Sequence, residues 1–339
     1  MRFPRIAAVL AATLATATLA AGAARADEVI DLKFAVFTPE QEITYQEAIK
    51  PWVQAVEEAA GGRVRIQLFP GGTLGRDGSK QIKMLNDGVA DIAFIIPAYN
   101  PGLFPDNWVI ELPDTSRTAG EGSVAFWRMV ESGRLRGYDG FEVLSMVATS
   151  PYLLHGNKPM NRVADLKGQK IRIAGKLEQQ CVEAVGGVPV GMPITKIPES
   201  LSRGIIDATP MHYAALYAFG ISSATKYHYH AALGSMPFGF VMTRERFEAL
   251  PEDVQKAMQA EGGEKLARIF GAAMDAENAR RLAETEAAPG QTIVIPTAED
   301  AAAWSAAMAG CSDRFVAEQE NGAALAAAFK AELDRIRAE

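Results

Sequence analysis

Two segments of this chain, residues 85–93 and 201–209, follow one pattern: the end of a helix, a glycine, two further residues, an aspartate and the start of a strand. Glycine ends a helix readily because it takes the left-handed backbone conformation without a Cβ clash. Around the first copy, hydrophobic periodicity predicts three strands and two helices: strands at 30–37, 64–69 and 92–96, and helices at 45–60 and 80–86. Strands and helices that alternate in this way indicate a parallel sheet covered by helices.

The pattern restarts after residue 140. Around the second copy we predict two strands and two helices: strands at 141–147 and 169–173, and helices at 178–185 and 197–202. Two copies in successive α/β units predict two lobes of similar build. No stretch between them has the composition of a linker, so we expect the lobes to be joined by short strands that cross more than once.

The C-terminal region is predicted to be mostly helical. A helix begins at Pro251, since proline suits the first turn of a helix, and continues to about residue 286 with a kink at Gly262-Gly263. A short strand follows at 293–295. Two Ala-rich helices complete the prediction: one at 301–309, which Asp300 caps, and one at 315–337.

The N-terminus has the features of a secretory signal. Arg2 and Arg5 precede an apolar run at 6–21, and Ala24-Arg25-Ala26 supplies a small-x-small cleavage site. The run is short for a membrane span, which needs roughly 20 apolar residues, so a cleaved signal is favoured over an anchor. We therefore predict a signal peptide over residues 1–26 and an exported, soluble product.

Charge and length narrow the function classes. The 339 residues carry 34 Lys and Arg against 41 Asp and Glu, a net charge of −7, and loss of the signal peptide would remove three of the arginines. An acidic protein argues against nucleic-acid binding, which needs clustered basic residues to neutralise phosphates. The length suggests about two domains.

Sequence motifs of common enzymes are missing. The chain has no G-x-S-x-G, H-E-x-x-H or G-x-x-x-x-G-K-[ST] motif. The glycines at 120 and 122 fit a dinucleotide-binding pattern, but residues 113–118 before them do not read as the strand that such a site requires. We therefore predict a protein without catalytic residues or a cofactor, with an exported α/β hydrolase of small acids as the alternative.

Histidines and cysteines give weaker signals. The chain has four histidines: His155, His212, His228 and His230. His228 and His230 would share one face of a strand, but without a third ligand nearby we expect partly exposed surface histidines and no metal site. The two cysteines, Cys181 and Cys311, either form a disulfide or remain buried thiols, and their spacing favours neither.

Arg172 is the most informative charged residue. It lies near the C-terminal end of the strand predicted at 169–173, and ligands gather at that edge of open α/β sheets. A guanidinium there can hold a carboxylate by two parallel hydrogen bonds. The alternative is that Arg172 pairs with a structural acid of the protein itself.

Several segments in order resemble a known family. They are 69–75, 86–91, 158–160 with 165–172, 186–190 and 201–207. Over nearly the whole mature chain the sequence resembles the periplasmic substrate-binding subunits of tripartite ATP-independent periplasmic (TRAP) transporters of the dicarboxylate-uptake type. The resemblance implies a two-lobed α/β periplasmic binding protein fold with crossing strands between lobes and a long bridging helix. It also implies that Arg172 binds the ligand carboxylate, and that a small and a large membrane subunit receive the ligand.

The resemblance also suggests lobe boundaries. Lobe I is expected to comprise residues 27–149 and about 237–278. Lobe II is expected to comprise residues 150–236 and about 279–339. Ligand would be bound when the lobes close, because only the closed state contacts it from both sides.

The sequence departs from the family pattern at three places. A second arginine that members often carry is missing near Tyr152, a Glu-Val-Tyr segment is replaced by 196–198, and 208–213 replaces the Gly and Asn that often follow Asp207. Burying a second carboxylate without a partner would cost several kcal/mol. We therefore predict a monocarboxylate ligand, namely a hydroxy-, keto- or aromatic acid. A receptor for a C4-dicarboxylate or sugar acid, and a sensor subunit, are the alternatives.

Candidate wall residues come from loops after strands, although each aromatic among them could equally be core. With Arg172 they are Phe37, Thr38, Tyr99, Tyr152, Met211, His212, Tyr213 and Phe238. Tyr99 and Tyr152 are favoured because each lies in polar, turn-rich sequence, where a phenol can both pack and hydrogen-bond.

Overall fold

The computed structural model describes residues 29–339, so the predicted signal peptide lies outside the described residues. Within them the strands are β1 (Ile30–Ala35), β2 (Val64–Phe69), β3 (Ile92–Ile95), β4 (Phe141–Ala148), β5 (Leu153–Gly156), β6 (Lys170–Ile173), β7 (Val188–Gly191), β8 (Ala208–Met211), β9 (Tyr227–Tyr229), β10 (Pro237–Thr243) and β11 (Thr292–Val294). The α-helices are α1 (Lys50–Ala59), α2 (Gln81–Asn86), α3 (Ala119–Glu131), α4 (Lys176–Ala184), α5 (Ile197–Ser202), α6 (Tyr213–Ala218), α7 (Arg244–Glu248), α8 (Glu252–Glu261), α9 (Gly263–Ala287), α10 (Ala298–Glu318) and α11 (Gly322–Ile336).

The strands form two sheets. The first has the order β2-β1-β3-β10-β4, and the second has the order β11-β9-β5-β8-β6-β7. In the first sheet β1 is parallel to β2 and β3, while β10 is antiparallel to both of its neighbours. In the second, β6 is parallel to β7 and β8, while β5 is antiparallel to β8 and β9. The predicted two-lobed α/β fold is confirmed, with one sheet in each lobe.

Two short segments cross between the sheets. Residues 149–152 lead from β4 to β5, and residues 230–236 lead from β9 back to β10. The segments pair with each other, because the Leu233 N–H donates to the Tyr152 carbonyl at 2.8 Å and the Tyr152 N–H donates to the Gly234 carbonyl at 3.1 Å. Gly234 is required there, since a Cβ would lie 1.9 Å from the Glu111 carbonyl oxygen. The crossing strands thus form a hydrogen-bonded connection between the lobes.

Helix α9 bridges the two lobes. It packs against α3 and β4 on one side and against α6 on the other. Asp275 on α9 accepts the backbone N–H groups of Ala119 and Gly120 at 2.7 and 2.9 Å, which caps α3. Asn278 accepts the N–H of Tyr213 at 2.7 Å, which caps α6. One helix therefore holds an N-terminus from each lobe, and the bridging helix predicted by the resemblance is present.

The C-terminal helices differ from the prediction. The break at Gly262-Gly263 separates α8 from α9, where a kink was expected. Helix α10 begins earlier than predicted and is capped by Thr297, which accepts the N–H of Asp300, so Asp300 is not the cap. The helix predicted at 315–337 is interrupted, because Asn321 takes a left-handed conformation with φ of 56° between α10 and α11.

These two helices also divide between the lobes. Helix α10 packs on α4 in lobe II, and the Cys181–Cys311 disulfide joins them across a sequence separation of 130 residues. The pairing resolves the alternative left open for the cysteines. Helix α11 packs on α3, and Arg337 after it forms an ion pair with Glu121 at 2.7 Å. The boundary expected for lobe II, which includes all residues to 339, therefore places α11 in the lobe that its packing does not favour.

Candidate functional site

A cavity of about 30 Å³ lies where the two lobes meet. Its lining residues come from both sheets, from α6, from α9 and from the crossing segments. They are Phe37, Thr38, Glu42, Thr44, Phe94, Ile96, Tyr99, Tyr152, Arg172, Ile194, His212, Ala215, Phe219, Met236, Phe238, Phe270 and Met274.

Arg172 is the one lysine or arginine among the described residues that line this cavity. Arg172 is 1% exposed and is the last residue but one of β6. The Nε–H donates to the Met192 carbonyl at 3.0 Å, and Nη2 donates to the Tyr99 hydroxyl at 3.1 Å. A guanidinium has five N–H groups, so three remain for another acceptor.

No carboxylate of the described part of the chain forms an ion pair with Arg172. Glu178, buried at the start of α4, acts on the guanidinium through space, but its Oε2 accepts the backbone N–H of Ala174 at 2.6 Å. A guanidinium keeps its charge even when buried. The site is thus a buried cation whose ion-pair position is open to an anion.

Tyr99 supports the same site from lobe I. Its hydroxyl oxygen accepts from Arg172 and from the backbone N–H of Ile194 at 3.1 Å. Since both lone pairs of the oxygen are used, its own O–H hydrogen must donate elsewhere. A carboxylate beside Arg172 is an acceptor of the required kind.

One wall of the cavity is built from phenylalanine rings. Phe94 stacks on Phe37 with ring centroids 5.3 Å apart and on Phe238 with centroids 5.1 Å apart. Phe270, from α9, lies 6.2 Å from Phe94. Phe94 and Phe238 lie on the adjacent strands β3 and β10, which explains why the rings meet. A wall of this kind favours an apolar or aromatic ligand body.

Two polar side chains complete the lobe II side. The Nδ1 of His212 accepts the backbone N–H of Ala215 at 3.3 Å, which caps α6 and leaves the proton of the neutral ring on Nε2. Burial lowers the pKa of His212 to about 3, so the ring is neutral at pH 7. Tyr152 lies beside it with ring centroids 5.8 Å apart, and burial raises the pKa of Tyr152 well above its ordinary value. Both side chains are therefore neutral hydrogen-bonding groups.

Lobe I contributes a buried acid, Glu42. Its Oε2 accepts the Thr44 hydroxyl and the backbone N–H of Tyr45, the latter at 3.1 Å. Burial raises the pKa of Glu42, and hydrogen bonds from Thr44 oppose that shift in part. The hydroxyl of Thr38, which is 4% exposed, has no hydrogen-bond partner among the described residues.

The structure brings seven of the nine predicted site residues to the cavity. These are Phe37, Thr38, Tyr99, Tyr152, Arg172, His212 and Phe238. Met211 and Tyr213 are not among the lining residues, and the Tyr213 hydroxyl instead lies 2.7 Å from Nε2 of His230. Neighbours in extended backbone point in opposite directions, so His212 faces the cavity while the residues beside it face away.

Sequence reasoning missed Glu42 and much of the apolar wall. Glu42 lies in an irregular segment and has no motif around it. Phe94 belongs to a strand that reads as core, and Phe270 and Met274 lie on a helix far along the chain. The acid before Thr44 and Tyr45, at a helix start, was the one available signal for Glu42.

The histidine prediction was wrong for His228. That residue is buried, while His230 is half-buried, and the Nδ1 of His228 lies 2.7 Å from the Nδ1 of the buried His155. The Nε2 of His155 lies 3.0 Å from the Met211 carbonyl, so the pair is enclosed in the sheet of lobe II. Across residues 29–339 no three His, Cys, Asp or Glu side chains come together as a metal site would require.

The described residues contain no helix that is both long and apolar enough to cross a membrane.

The family model of bacterial extracellular solute-binding protein, family 7, matches residues 34–319 of this chain. The chain is also similar to the C4-dicarboxylate-binding periplasmic protein DctP of Rhodobacter capsulatus, with 22% identity over 291 residues. That alignment covers 82% of this chain and 84% of the relative.

Two solved structures are similar over their whole length. One is a TRAP solute-binding protein from a marine metagenome, specific for aromatic acid ligands and in complex with metahydroxyphenylacetate. It is 26% identical with a TM-score of 0.84, over 90% of this chain and 99% of that one. The other, from Rhodoferax ferrireducens, was solved with copurified benzoate, and it is 27% identical with a TM-score of 0.82 over 91% and 98% of the two chains.

Proposed function

The chain belongs to family 7 of the bacterial extracellular solute-binding proteins, and from that premise we propose that it captures a small monocarboxylate, with an aromatic acid favoured, in the cavity around Arg172. Proteins of this family are receptors of TRAP transporters for small organic acids, and they bind a solute rather than transform it. The receptor would act in the periplasm and deliver its ligand to the small and large membrane subunits of a TRAP permease.

The single observation that carries this proposal is the state of Arg172. A guanidinium that is 1% exposed, with three N–H groups unused and no ion pair within residues 29–339, is costly unless an anion completes it. A ligand carboxylate supplies two acceptors in the geometry that a guanidinium requires. The Tyr99 O–H then donates a third hydrogen bond to the same group.

The choice of a monocarboxylate rests on the rest of the lining. Arg172 is the one cationic side chain in the described lining, since His212 is neutral, so a second carboxylate would have no counter-charge. The phenylalanine wall suits a ring. Both similar solved structures at 26% and 27% identity hold aromatic carboxylates, which supports an aromatic acid for this chain as well.

Lobe closure follows from where the contacts originate. Lobe I supplies Phe37, Tyr99 and Phe238, while lobe II supplies Arg172 and His212. A ligand held by both groups stabilises the closed state, because the open state offers it half of the contacts. The crossing segments at 149–152 and 230–236 are where we expect the lobes to hinge.

Mass spectrometry of the acid that copurifies with the native protein is the most informative experiment. It should be followed by a thermal-shift panel of benzoate, phenylacetate, mandelate, pyruvate and succinate. A ligand at 100 times its Kd should stabilise the fold by about 2.7 kcal/mol. We expect an aromatic monocarboxylate to give the largest shift and to be returned unchanged after incubation.

A largest shift with succinate would replace the monocarboxylate by a dicarboxylate, as the name of the Rhodobacter relative would suggest. Chemical conversion of the bound acid would instead favour the hydrolase alternative.

A further inference from the structure

Glu42 occupies a second position on the cavity wall and has no role in holding a carboxylate. Its side chain is 5% exposed, and no lysine, arginine or histidine of the described chain forms an ion pair with it. Glu42 and Arg172 line the same cavity without pairing with each other, so they hold separate positions on its wall. The cavity therefore presents a cation at one point and a carboxyl group at another.

Only part of the hydrogen-bonding capacity of Glu42 is used. Its Oε2 accepts from the Thr44 hydroxyl and from the Tyr45 N–H, which fixes the start of the helix that begins at Tyr45. The backbone N–H of Thr44 also donates to this carboxyl group. A carboxylate has about four lone-pair positions, so these three donors leave at least one position for a group in the cavity.

Thr38 provides an independent sign that a polar group belongs in this cavity. Its hydroxyl is buried, lines the same space and lacks any partner within the described chain. Buried polar atoms are nearly always hydrogen-bonded, and leaving one unsatisfied is costly. Most of the cavity lining is apolar, and Phe270 and Met274 of α9 belong to it.

The chemistry of these two side chains restricts the group that could satisfy them. A second carboxylate beside Glu42 would meet a like charge or compete for a single proton. A ring without substituents would leave the Thr38 hydroxyl unsatisfied. A hydroxyl both donates and accepts, so it satisfies Glu42 in either protonation state and also the Thr38 hydroxyl.

We infer that Glu42 and Thr38 form a hydroxyl-selecting subsite, which favours monocarboxylates that carry a neutral hydroxyl on the ring held by the phenylalanine wall. This inference rests on the proposed function, because it assumes that Arg172 holds the carboxylate. It goes further in naming the substituent that the ligand carries and the residues that recognise it.

The test compares affinities within matched ligand series by titration calorimetry. The probes are benzoate and phenylacetate, each with its 3-hydroxy and 4-hydroxy derivatives. In the wild-type protein we expect at least one hydroxy acid to bind ten or more times more tightly than its parent acid. Glu42→Met should reduce that ratio to about threefold or less while the affinity for the parent acid changes by less than about threefold. Glu47→Met, an exposed glutamate five residues later, is the matched control and should leave the ratio unchanged.

Glu42→Gln covers the possibility that the methionine variant does not fold, since an amide oxygen can still accept from Thr44 and Tyr45. Glutamine has an amide N–H that can donate to a ligand carboxylate and cannot ionise, so this variant should bind benzene-1,3-dicarboxylate at least tenfold more tightly than wild type.

The failures of the two proposals are distinguishable. Tight binding of the parent acids without any preference for a hydroxy acid would overturn the subsite and leave the proposed function intact. An unchanged ratio in Glu42→Met, or an unchanged dicarboxylate affinity in Glu42→Gln, would also overturn the subsite. Failure of the wild-type protein to bind any of these acids would remove both proposals.

Discussion

Two arginines of this protein show opposite ways of placing a guanidinium. Arg136 holds Asp106 by two parallel hydrogen bonds, from Nε at 2.8 Å and from Nη2 at 2.6 Å, and Asp106 is buried. Arg172 is far more buried than Arg136, yet its hydrogen-bond partners are a carbonyl and a hydroxyl. Arg136 is the structural pair that was the alternative interpretation for Arg172. The contrast indicates that the chain supplies an acid where a guanidinium serves the fold and leaves the acid out where a ligand is to bring it.

Replacing each of the two arginines by methionine, in separate variants, should give the largest difference in ligand affinity. Arg172→Met should weaken the binding of the best aromatic acid by about a thousandfold, roughly 4 kcal/mol, because the carboxylate would be buried without a counter-charge. Arg136→Met should leave that affinity within about twofold. Titration calorimetry on both variants measures the difference, and equal losses in the two variants would contradict the contrast.

For stability the order of the two variants should be reversed. Arg136→Met should lose more free energy of unfolding than Arg172→Met. Burial alone would raise the pKa of Asp106, but hydrogen bonds and charge from Arg136 outweigh it and lower the pKa. Arg136→Met should therefore lower the free energy of unfolding at pH 7, though by less than the loss of a fully buried pair would, because Arg136 is half-exposed. Urea denaturation measures the change.

Arg172→Met should have a smaller effect on the stability of the ligand-free protein, since it removes a buried charge that has no ion-pair partner. A loss for Arg172→Met as large as that for Arg136→Met would mean that Arg172 is held by the protein and not reserved for a ligand.

The pH dependence of stability and of ligand affinity distinguishes the role of His212 from that of Arg172. His212 has a folded-state pKa of about 3 against an ordinary value of 6.5, so the unfolded chain binds more protons between those values. The stability that comes from keeping His212 neutral is present above pH 6.5 and is lost as the pH falls towards 3. Between pH 7 and pH 5 the loss should reach about 2 kcal/mol for this residue.

His212→Asn should lose less stability than wild type over the same interval, as followed by urea denaturation at several pH values. Affinity for the acid should stay nearly constant between pH 8 and pH 6, because Arg172 stays charged and His212 stays neutral throughout. A rise in affinity below pH 7 would show instead that a protonated histidine binds the carboxylate.

Tyr99 should give the smallest of these effects. Tyr99→Phe removes the hydroxyl that accepts from Arg172 and Ile194, along with the O–H available to the ligand. One hydrogen bond to a charged group contributes about 1.5–3 kcal/mol, and rearrangement around Arg172 recovers a part of it. We expect a tenfold to thirtyfold loss of affinity by calorimetry. Tyr217→Phe, whose hydroxyl bonds Thr285 outside the cavity lining, is the control and should leave affinity unchanged.

The sequence identifies some residues of the cavity and not others, and the reason is physical. Arg172 could be identified because a strand end and a charged residue are both local signals, although its lack of an acid partner depends on the whole fold. His212 was identified with Met211 and Tyr213, because sequence gives the segment but not which side chain faces the cavity. Glu42 had no local signal stronger than a helix start.

The same limit applies to the fold. Six strands (β1, β2, β3, β4, β6 and β11) follow from local hydrophobic patterns, and their positions agree with the prediction to within about two residues. The other five were given no range by the sequence. The lobe that α11 joins is set by its packing on α3, far away in the chain, and no local pattern indicates it. The partner of Cys181 likewise lies 130 residues away.

The most direct test of the central claim is to change the ligand and the protein together. Calorimetry with an aromatic acid and with its neutral amide, on wild type and on Arg172→Met, measures the coupling between the carboxylate and the guanidinium. We predict that wild type prefers the acid at least a hundredfold and that the variant binds both compounds with similar affinity. An equal preference for the acid in both proteins would show that the carboxylate is recognised elsewhere and would contradict the role assigned to Arg172.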